Sequence, residues 1–363
     1  MTAVIFERVS IMDFNHNTGL SGQQPLVPIA GPGMGSPAAG PARKGSGWRI
    51  FLGIVLALSI IGNIVLFLVM IGLVSVFAVG QGRPFGAFTE EVIREGPART
   101  KIVVIALEGI IYGDSADELC RQLKDARQDS RVKAVILRVS SPGGLISSSD
   151  QIYKEILKYR EQEKKPVVAF MQDMAASGGY YVSVACDKII AEPTALTGSI
   201  GVIMRHFVFQ ELLENKLGIL PVVIKSGEKK DWPSSFQVPT KEQLQYLEDR
   251  LITPAYERFV KVVAEGRKAE LTIDDVIKLA DGGIVGAQEA LGARLIDEIG
   301  YLDEAIELAK SLAGIEKAQV VEYHRPFSLA SFLSYRASNS LKIDRTTLYE
   351  LSTPQVLYLW SAY

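Results

Sequence analysis

"VKAVILRVSSPGGLISSSDQIYKEILKYREQEKKPVVAFMQ", residues 132–172, decides the fold class. Its first ten residues form a short apolar run that reads as a strand, and Pro142-Gly143-Gly144 end it. "SSSDQIYKEILKYREQEK" (147–164) then opens with serines in capping position and runs as a helix. "PVVAFMQ" (166–172) is again a strand. The same alternation extends on both sides. Upstream, "KIVVIALEGII" (101–111) reads as a buried strand, and "SADELCRQLKDARQD" (115–129) reads as a helix with Leu119 and Leu123 on one face. Downstream, "KIIAEP" (188–193) supplies a fourth strand. Strands alternating with helices predict an α/β domain with a largely parallel sheet. No internal repeat is visible, so 363 residues hold one copy of this unit.

The chain carries a formal charge of −2 and no basic footprint, which gives no indication of nucleic-acid binding. Cys120 and Cys186 are the only cysteines; they show no metal-type spacing and build no disulfide framework, and no cofactor is implied. From Ile50 to Val79 the sequence is apolar without a charge between Arg49 and Arg83. About 20 apolar residues suffice to cross a bilayer, so a transmembrane helix over 50–79 is expected. Arg43, Lys44 and Arg49 crowd its entry side, which predicts a cytoplasmic N-terminus and an external C-terminal part. Residues 1–47, rich in Gly, Pro and Ala, read as a flexible cytoplasmic tail, and 80–99 as a linker out of the membrane.

Ligand sites in open α/β sheets gather at the carboxyl ends of strands. Two glycine-bearing turns fall there: "SSPGG" (140–144) and "ASGGYY" (176–181). In the second, Ser177 is flanked by alanines and glycines, in the wider stretch "DMAASGGYYVSVACDK" (173–188). Small residues of this kind let a helix pack tightly; they also clear the approach of a substrate backbone to one hydroxyl, with Gly178 offering its N–H beside it. A nucleophilic serine needs a base. His16 lies in the tail, His324 in the distal C-terminal region, and His206 has no acidic neighbour in sequence to orient it. A lysine serves instead where burial or neighbouring cations favour its neutral amine. "IKSGEKKD" (224–231) offers Lys225, Lys229 and Lys230.

"VSSPGG", "DMAASGGYYVSVACDKIIAEPTALTGSIGVI", "IKSGEKKD" and "GAQEALGARLIDEIG" (286–300), in this order and spacing, resemble the signature blocks of the signal peptide peptidase A family in its short, membrane-anchored form. The resemblance covers roughly residues 100–315, the span of an expected protease domain, and leaves 316–363 as a C-terminal extension. It implies a core like that of crotonase and of the Clp proteolytic subunit, preceded by one transmembrane helix. It also implies serine–lysine proteolysis of remnant signal peptides at the outer face of the cytoplasmic membrane. By the same resemblance, Ser177 matches the nucleophile, Lys230 the general base, and Ser199 in "TGSIGV" the serine that holds the lysine amine. Gly143, Gly144 and Gly178 match the oxyanion hole. A ring-shaped homo-oligomer is implied, with dyads completed between protomers. Three features depart from the family pattern: a long tail, the extra Lys229, and the glycine pair in "DGGIVGAQEA". Two other readings stand beside this one: a Clp-like protease with His206 as base, and a catalytically silent scaffold that binds peptides. The closing "VLYLWSAY" reads as a docking strand or a packed tail.

Overall fold

A computed structural model describes residues 46–79, 88–325 and 355–360. Nearly all of the expected tail, part of the 80–99 linker and much of the expected C-terminal extension lie outside the described residues. The chain divides into two compact units, Met1–Val79 and Gly80–Tyr363.

In the first unit, α1 (Ser46–Val79) is one continuous helix. Its stretch Gly47–Ile71 is long and apolar enough to cross a membrane, and the described side chains there are exposed all round. Apolar residues on every face of a helix are compatible with lipid rather than with one buried stripe.

The second unit is built on β1 (Thr89–Arg94), β2 (Lys101–Glu108), α2 (Gly113–Gln128), β3 (Val132–Ser141), β4 (Gly143–Leu145), α3 (Ile146–Glu163) and β5 (Val167–Ala176). There follow α4 (Gly178–Ser183), β6 (Lys188–Ala191), β7 (Leu196–Gly198), β8 (Ile203–Arg205), α5 (Lys241–Leu247), α6 (Thr253–Gly266) and α7 (Ile273–Leu279). The rest comprises β9 (Ile284–Gly286), α8 (Ala287–Gly292), β10 (Glu298–Ile299), α9 (Leu302–Ala313), β11 (Gln319–His324) and β12 (Gln355–Leu359). The main sheet runs β1-β11-β2-β3-β5-β6-β10, with β7 and β9 attached to the far end of β5. All pairs are parallel except β1 with β11 and β7 with β9. The sheet thus takes in residues on both sides of the expected 100–315 span. A second sheet, β4-β12-β8, is antiparallel.

The central strands are apolar throughout because helices cover both faces. Along β2, Val103, Ile105 and Leu107 join the larger core, while Ile102 and Val104 join the smaller one. β3 and β5 split likewise, the two-residue period of a strand sending alternate side chains to opposite faces. Buried residues of α2, α3, α4 and α6 fill the larger core, and Ala305, Ile306 and Ala309 of α9 cover the smaller.

One local expectation is corrected. The serines at the start of α3 do not cap it: the N-cap is Leu145, with no side-chain cap, while Ser148 and Ser149 are buried within the first turn. Ser149 Oγ donates to the Leu145 carbonyl at 3.0 Å. The helix starts deeper against the sheet than its polar residues suggest, so these hydroxyls face inward. Cys120 and Cys186 are both free, and burial pushes the Cys186 thiol up strongly and that of Cys120 to about 11.

The contact between α6 and α4 supplies a stability test. A methyl on Gly266 would stand 2.3 Å from the Val184 carbonyl oxygen and 2.9 Å from the Val184 Cβ. Gly→Ala inside a helix normally gains about 1 kcal/mol. Here the atom met is backbone, which cannot rotate away, and overpacking costs about 1–3 kcal/mol. Gly266→Ala is therefore expected to lower the thermal midpoint; an unchanged or raised midpoint would show that α6 can slide.

Candidate active site

Between Val139↔Met171 and Ser141↔Ala175 the register advances two residues along β3 but four along β5. The extra residues form a bulge in which Asp173 takes φ +41°. Past it, β5 leaves β6 and pairs with β7 instead, from Met174↔Leu196 to Ala176↔Gly198. Bulges re-aim strand ends in this way. Ser177 and Ser199 each follow a member of the last pair, so the two serines stand at the ends of neighbouring strands.

Ser177 is 1 % exposed and takes φ +53°, ψ −112° at the turn from β5 into α4. This left-handed backbone is costly for a residue with a Cβ, and it persists because both main-chain groups are tied down. Its N–H donates to the Gly198 carbonyl at 2.9 Å, and its carbonyl accepts from Tyr181 N at 2.8 Å. No hydrogen bond to its Oγ occurs among the described residues. Ser199, at φ +49°, donates its N–H to the Gly283 carbonyl at 2.6 Å. A side chain on Gly201 would meet Gly282 Cα at 3.1 Å. The unusual glycine pair in "DGGIVG" thus backs the turn that carries Ser199.

The proline–glycine turn packs against the start of α4. A methyl on Gly143 would lie 2.6 Å from Gly178 N, and one on Gly178 would lie 2.7 Å from Ser149 Oγ. Gly179 meets the Ser141 carbonyl in the same way, at 2.9 Å. Tight packing is thus the observed reason for the glycines: the two turns come too close for side chains. As the first residue of α4, Gly178 has an N–H with no acceptor inside the helix. Gly143 differs from the expectation that its N–H is available, since that group donates to Ser141 Oγ at 3.1 Å. Ser141 Oγ in turn donates to the Gly109 carbonyl at 2.6 Å. Ser141 holds the turn and escaped the sequence reading; the serine pair before Pro142 was its only signal.

Beneath α4, Tyr181 donates to Asp150 at 2.6 Å, and Arg258 donates to the same oxygen at 2.9 Å. Burial opposes the charge on Asp150, yet the hydrogen bonds from Tyr181, Arg258 and Lys154 hold its carboxyl below the usual carboxylate range. Burial, with the hydrogen bond to Asp150 next, pushes the Tyr181 hydroxyl far up.

Lys230 makes no side-chain hydrogen bond to any of these groups among the described residues. It lies in a short 3-10 turn, Glu228–Asp231, is exposed, and has no side-chain hydrogen bond or ion pair among the described residues. Its neighbours are engaged: Lys225 pairs with Asp231 at 2.7 Å, and Lys229 lies 4.2 Å from the Tyr246 ring centroid and 5.3 Å from that of Trp232. The arm leading to it exposes Leu220 (74 %), Val222 (78 %) and Ile224 (97 %). His206, just past β8, has both ring nitrogens buried without a hydrogen-bond partner among the described residues, so no carboxylate there orients it as a base. His324 pairs with Glu91 at 3.1 Å.

Comparison with known proteins agrees with this architecture. The profile of Peptidase family S49 matches residues 159–316. A protein of Enterococcus faecium named signal peptide peptidase SppA is 37% identical over 246 residues, which cover 65% of this chain and 70% of that one. A protein of Methanocaldococcus jannaschii named as a protease is 38% identical over 218 residues, covering 59% of this chain and 68% of the other. The chloroplastic serine protease SPPA of Arabidopsis thaliana is 35% identical over 235 residues, 64% of this chain and 34% of the plant protein. With its mostly parallel α/β core and these relatives, the chain belongs to peptidase family S49, the serine proteases of the signal peptide peptidase A type.

Proposed function

We propose that the protein is a membrane-anchored serine endopeptidase that degrades remnant signal peptides and similar membrane-associated peptides. The observation that carries this reading is Ser177: a buried serine whose hydroxyl has no hydrogen bond among the described residues, on a sharp strand-to-helix turn, facing a glycine turn. Its Oγ attacks the peptide carbonyl while the neutral Lys230 amine takes its proton. The oxyanion is held by the N–H groups of Gly178 and Gly144, and Gly143 contributes its missing side chain. The intermediate collapses to an acyl-enzyme as the C–N bond breaks, and the leaving amine receives the proton from Lys230. Water, deprotonated by the same amine, then releases the acid. Ser199, one strand over from Ser177, orients the lysine amine.

In this scheme Lys230 reaches Ser177 from a neighbouring protomer. Two observations support that. Lys230 has no side-chain partner among the described residues, and the arm that bears it exposes a row of large apolar residues that a second copy would cover. A head-to-tail ring repeats one such interface. The apolar helix α1 serves as the anchor, with the N-terminus in the cytoplasm and the protease on the outer side of the cytoplasmic membrane.

A fluorophosphonate probe tests this directly. The full-length protein in detergent is expected to be labelled at Ser177 alone. Absence of adduct at Ser177 in folded protein would remove the nucleophile from this scheme.

A further inference from the structure

One buried hydroxyl braces the proline–glycine turn from behind. Ser141 ends β3 and is fully buried. Its Oγ accepts from the Gly143 N–H at 3.1 Å and donates to the Gly109 carbonyl at 2.6 Å, which offsets the cost of burying a hydroxyl. Residues 109–111 run on from β2 as a short strap beside the turn. Gly109 takes φ +69° and donates its N–H to the Ser140 carbonyl at 2.9 Å. Ile111 donates to the Gly143 carbonyl at 2.9 Å and accepts from the Leu145 N–H at 2.8 Å. A methyl on Gly144 would lie 2.1 Å from the Ile111 carbonyl oxygen, so the strap comes this near only because that residue is glycine. Of these hydrogen bonds between strap and turn, only that of Ser141 comes from a side chain.

These bonds set the direction of one N–H. A trans peptide is planar, with its C=O and N–H on opposite sides. The peptide joining Gly143 to Gly144 is trans, and Ile111 holds its carbonyl. The Gly144 N–H therefore leaves β4 on the edge away from Ile111. Gly178 N is close by, 2.6 Å from a methyl placed on Gly143. The other candidates in the turn are spent. Pro142 has no N–H, that of Gly143 goes to Ser141, and that of Leu145 goes to Ile111. Gly144 is left as the donor that this turn can set beside the Gly178 N–H. Without the Ser141 hydroxyl, the Gly143 N–H and the Gly109 carbonyl lose their partner. Two consecutive glycines, with no side chains to hold them, then have the freedom to turn that peptide another way.

We infer that Ser141 is a positioning residue of the oxyanion hole: through residues 109–111, its hydroxyl fixes the peptide plane that aims the Gly144 N–H at the developing oxyanion. The inference rests on Ser177 being the nucleophile, with Gly144 and Gly178 as the donors. The charge these donors meet develops only as the carbonyl is attacked. The effect of Ser141 therefore falls on turnover and on adducts that carry the oxyanion, and it spares ground-state binding.

The test compares wild type, Ser141→Ala and Ser141→Cys, each full-length in detergent and each assayed well below its thermal midpoint. Ser141→Cys fills similar space with a weaker donor and acceptor, and it carries the test alone if Ser141→Ala does not fold. Loss of a whole oxyanion donor costs about 10²–10³ in kcat. A mis-aimed donor in Ser141→Ala is expected to cost about 10–100-fold in kcat, with KM moving less than about twofold. Ser141→Cys should show the same split with a smaller loss. A peptide aldehyde, acetyl-Leu-Leu-leucinal, adds to the serine and places an oxyanion in the hole, whereas its alcohol, acetyl-Leu-Leu-leucinol, forms no adduct. Aldehyde binding should weaken at least about tenfold in Ser141→Ala, and alcohol binding should stay within about twofold. Equal weakening of aldehyde and alcohol, a rise in KM without a fall in kcat, or wild-type kcat in both folded variants would overturn the positioning role. No fluorophosphonate adduct at Ser177 of wild type would overturn the nucleophile reading, and this inference with it.

Discussion

Ser177→Ala is expected to lower peptide hydrolysis by at least about a hundredfold and to leave the fold unchanged. Removing a covalent nucleophile typically costs far more than this, so the bound is conservative. The fold should tolerate the change because the structural work at this position is done by the main chain. The N–H bond to Gly198 and the carbonyl bond from Tyr181 survive the substitution, and the hydroxyl makes no hydrogen bond among the described residues. Alanine keeps the Cβ that already occupies the positive-φ backbone, so the strain of the turn is the same in both proteins. Hydrolysis is measured alongside the thermal midpoint. Residual activity above about a hundredth of wild type, with an unchanged midpoint, would sink the nucleophile assignment.

Two inactive proteins, Ser177→Ala and Lys230→Ala, are expected to regain activity when mixed under conditions that let subunits exchange. If each site joins a serine from one protomer to a lysine from the next, roughly a quarter of randomly assembled interfaces carry both wild-type residues. If each site lies within one chain, no mixture rebuilds one. Lys230→Arg should be as inactive as Lys230→Ala, since a guanidinium does not give up its proton in proteins. Lys229→Arg should retain activity, because Lys229 is already held against Tyr246 and Trp232 and arginine stacks on aromatic rings equally well. Silence in a mixture that demonstrably exchanges subunits would rule out the shared dyad, and loss of activity in Lys229→Arg but not Lys230→Arg would move the base by one position.

How much of this was legible in advance depends on how local the information is. The strands expected at 101–111, 132–141, 166–172 and 188–193 correspond to β2, β3, β5 and β6, and the helices expected at 115–129 and 147–164 to α2 and α3, within a few residues. Long apolar runs and helical spacing are properties of contiguous sequence, and burial on both faces of a parallel sheet writes them strongly. β4, β7, β8 and β9 are three residues each and β10 is two, too short to carry a period. They exist because a distant partner supplies the other half of each ladder.

The sequence by itself determined the alternating α/β core, the apolar helix near the N-terminus, the two glycine turns at strand ends, and the family through motif order. Each is a local pattern or a sum of local patterns. Only the tertiary structure decided what those patterns meet. It brought Ser177 and Ser199 to the ends of paired strands through a bulge that no residue of "FMQDMAAS" announces. It used the Gly143 N–H on Ser141, and among the described residues it left the Lys230 side chain without a partner. It also laid β12 against β4, across more than 200 residues of sequence, with Tyr358 between the glycines. Strand pairing and backbone close approach join residues through space, and their energy depends on the partner's position, which propensity and periodicity do not encode.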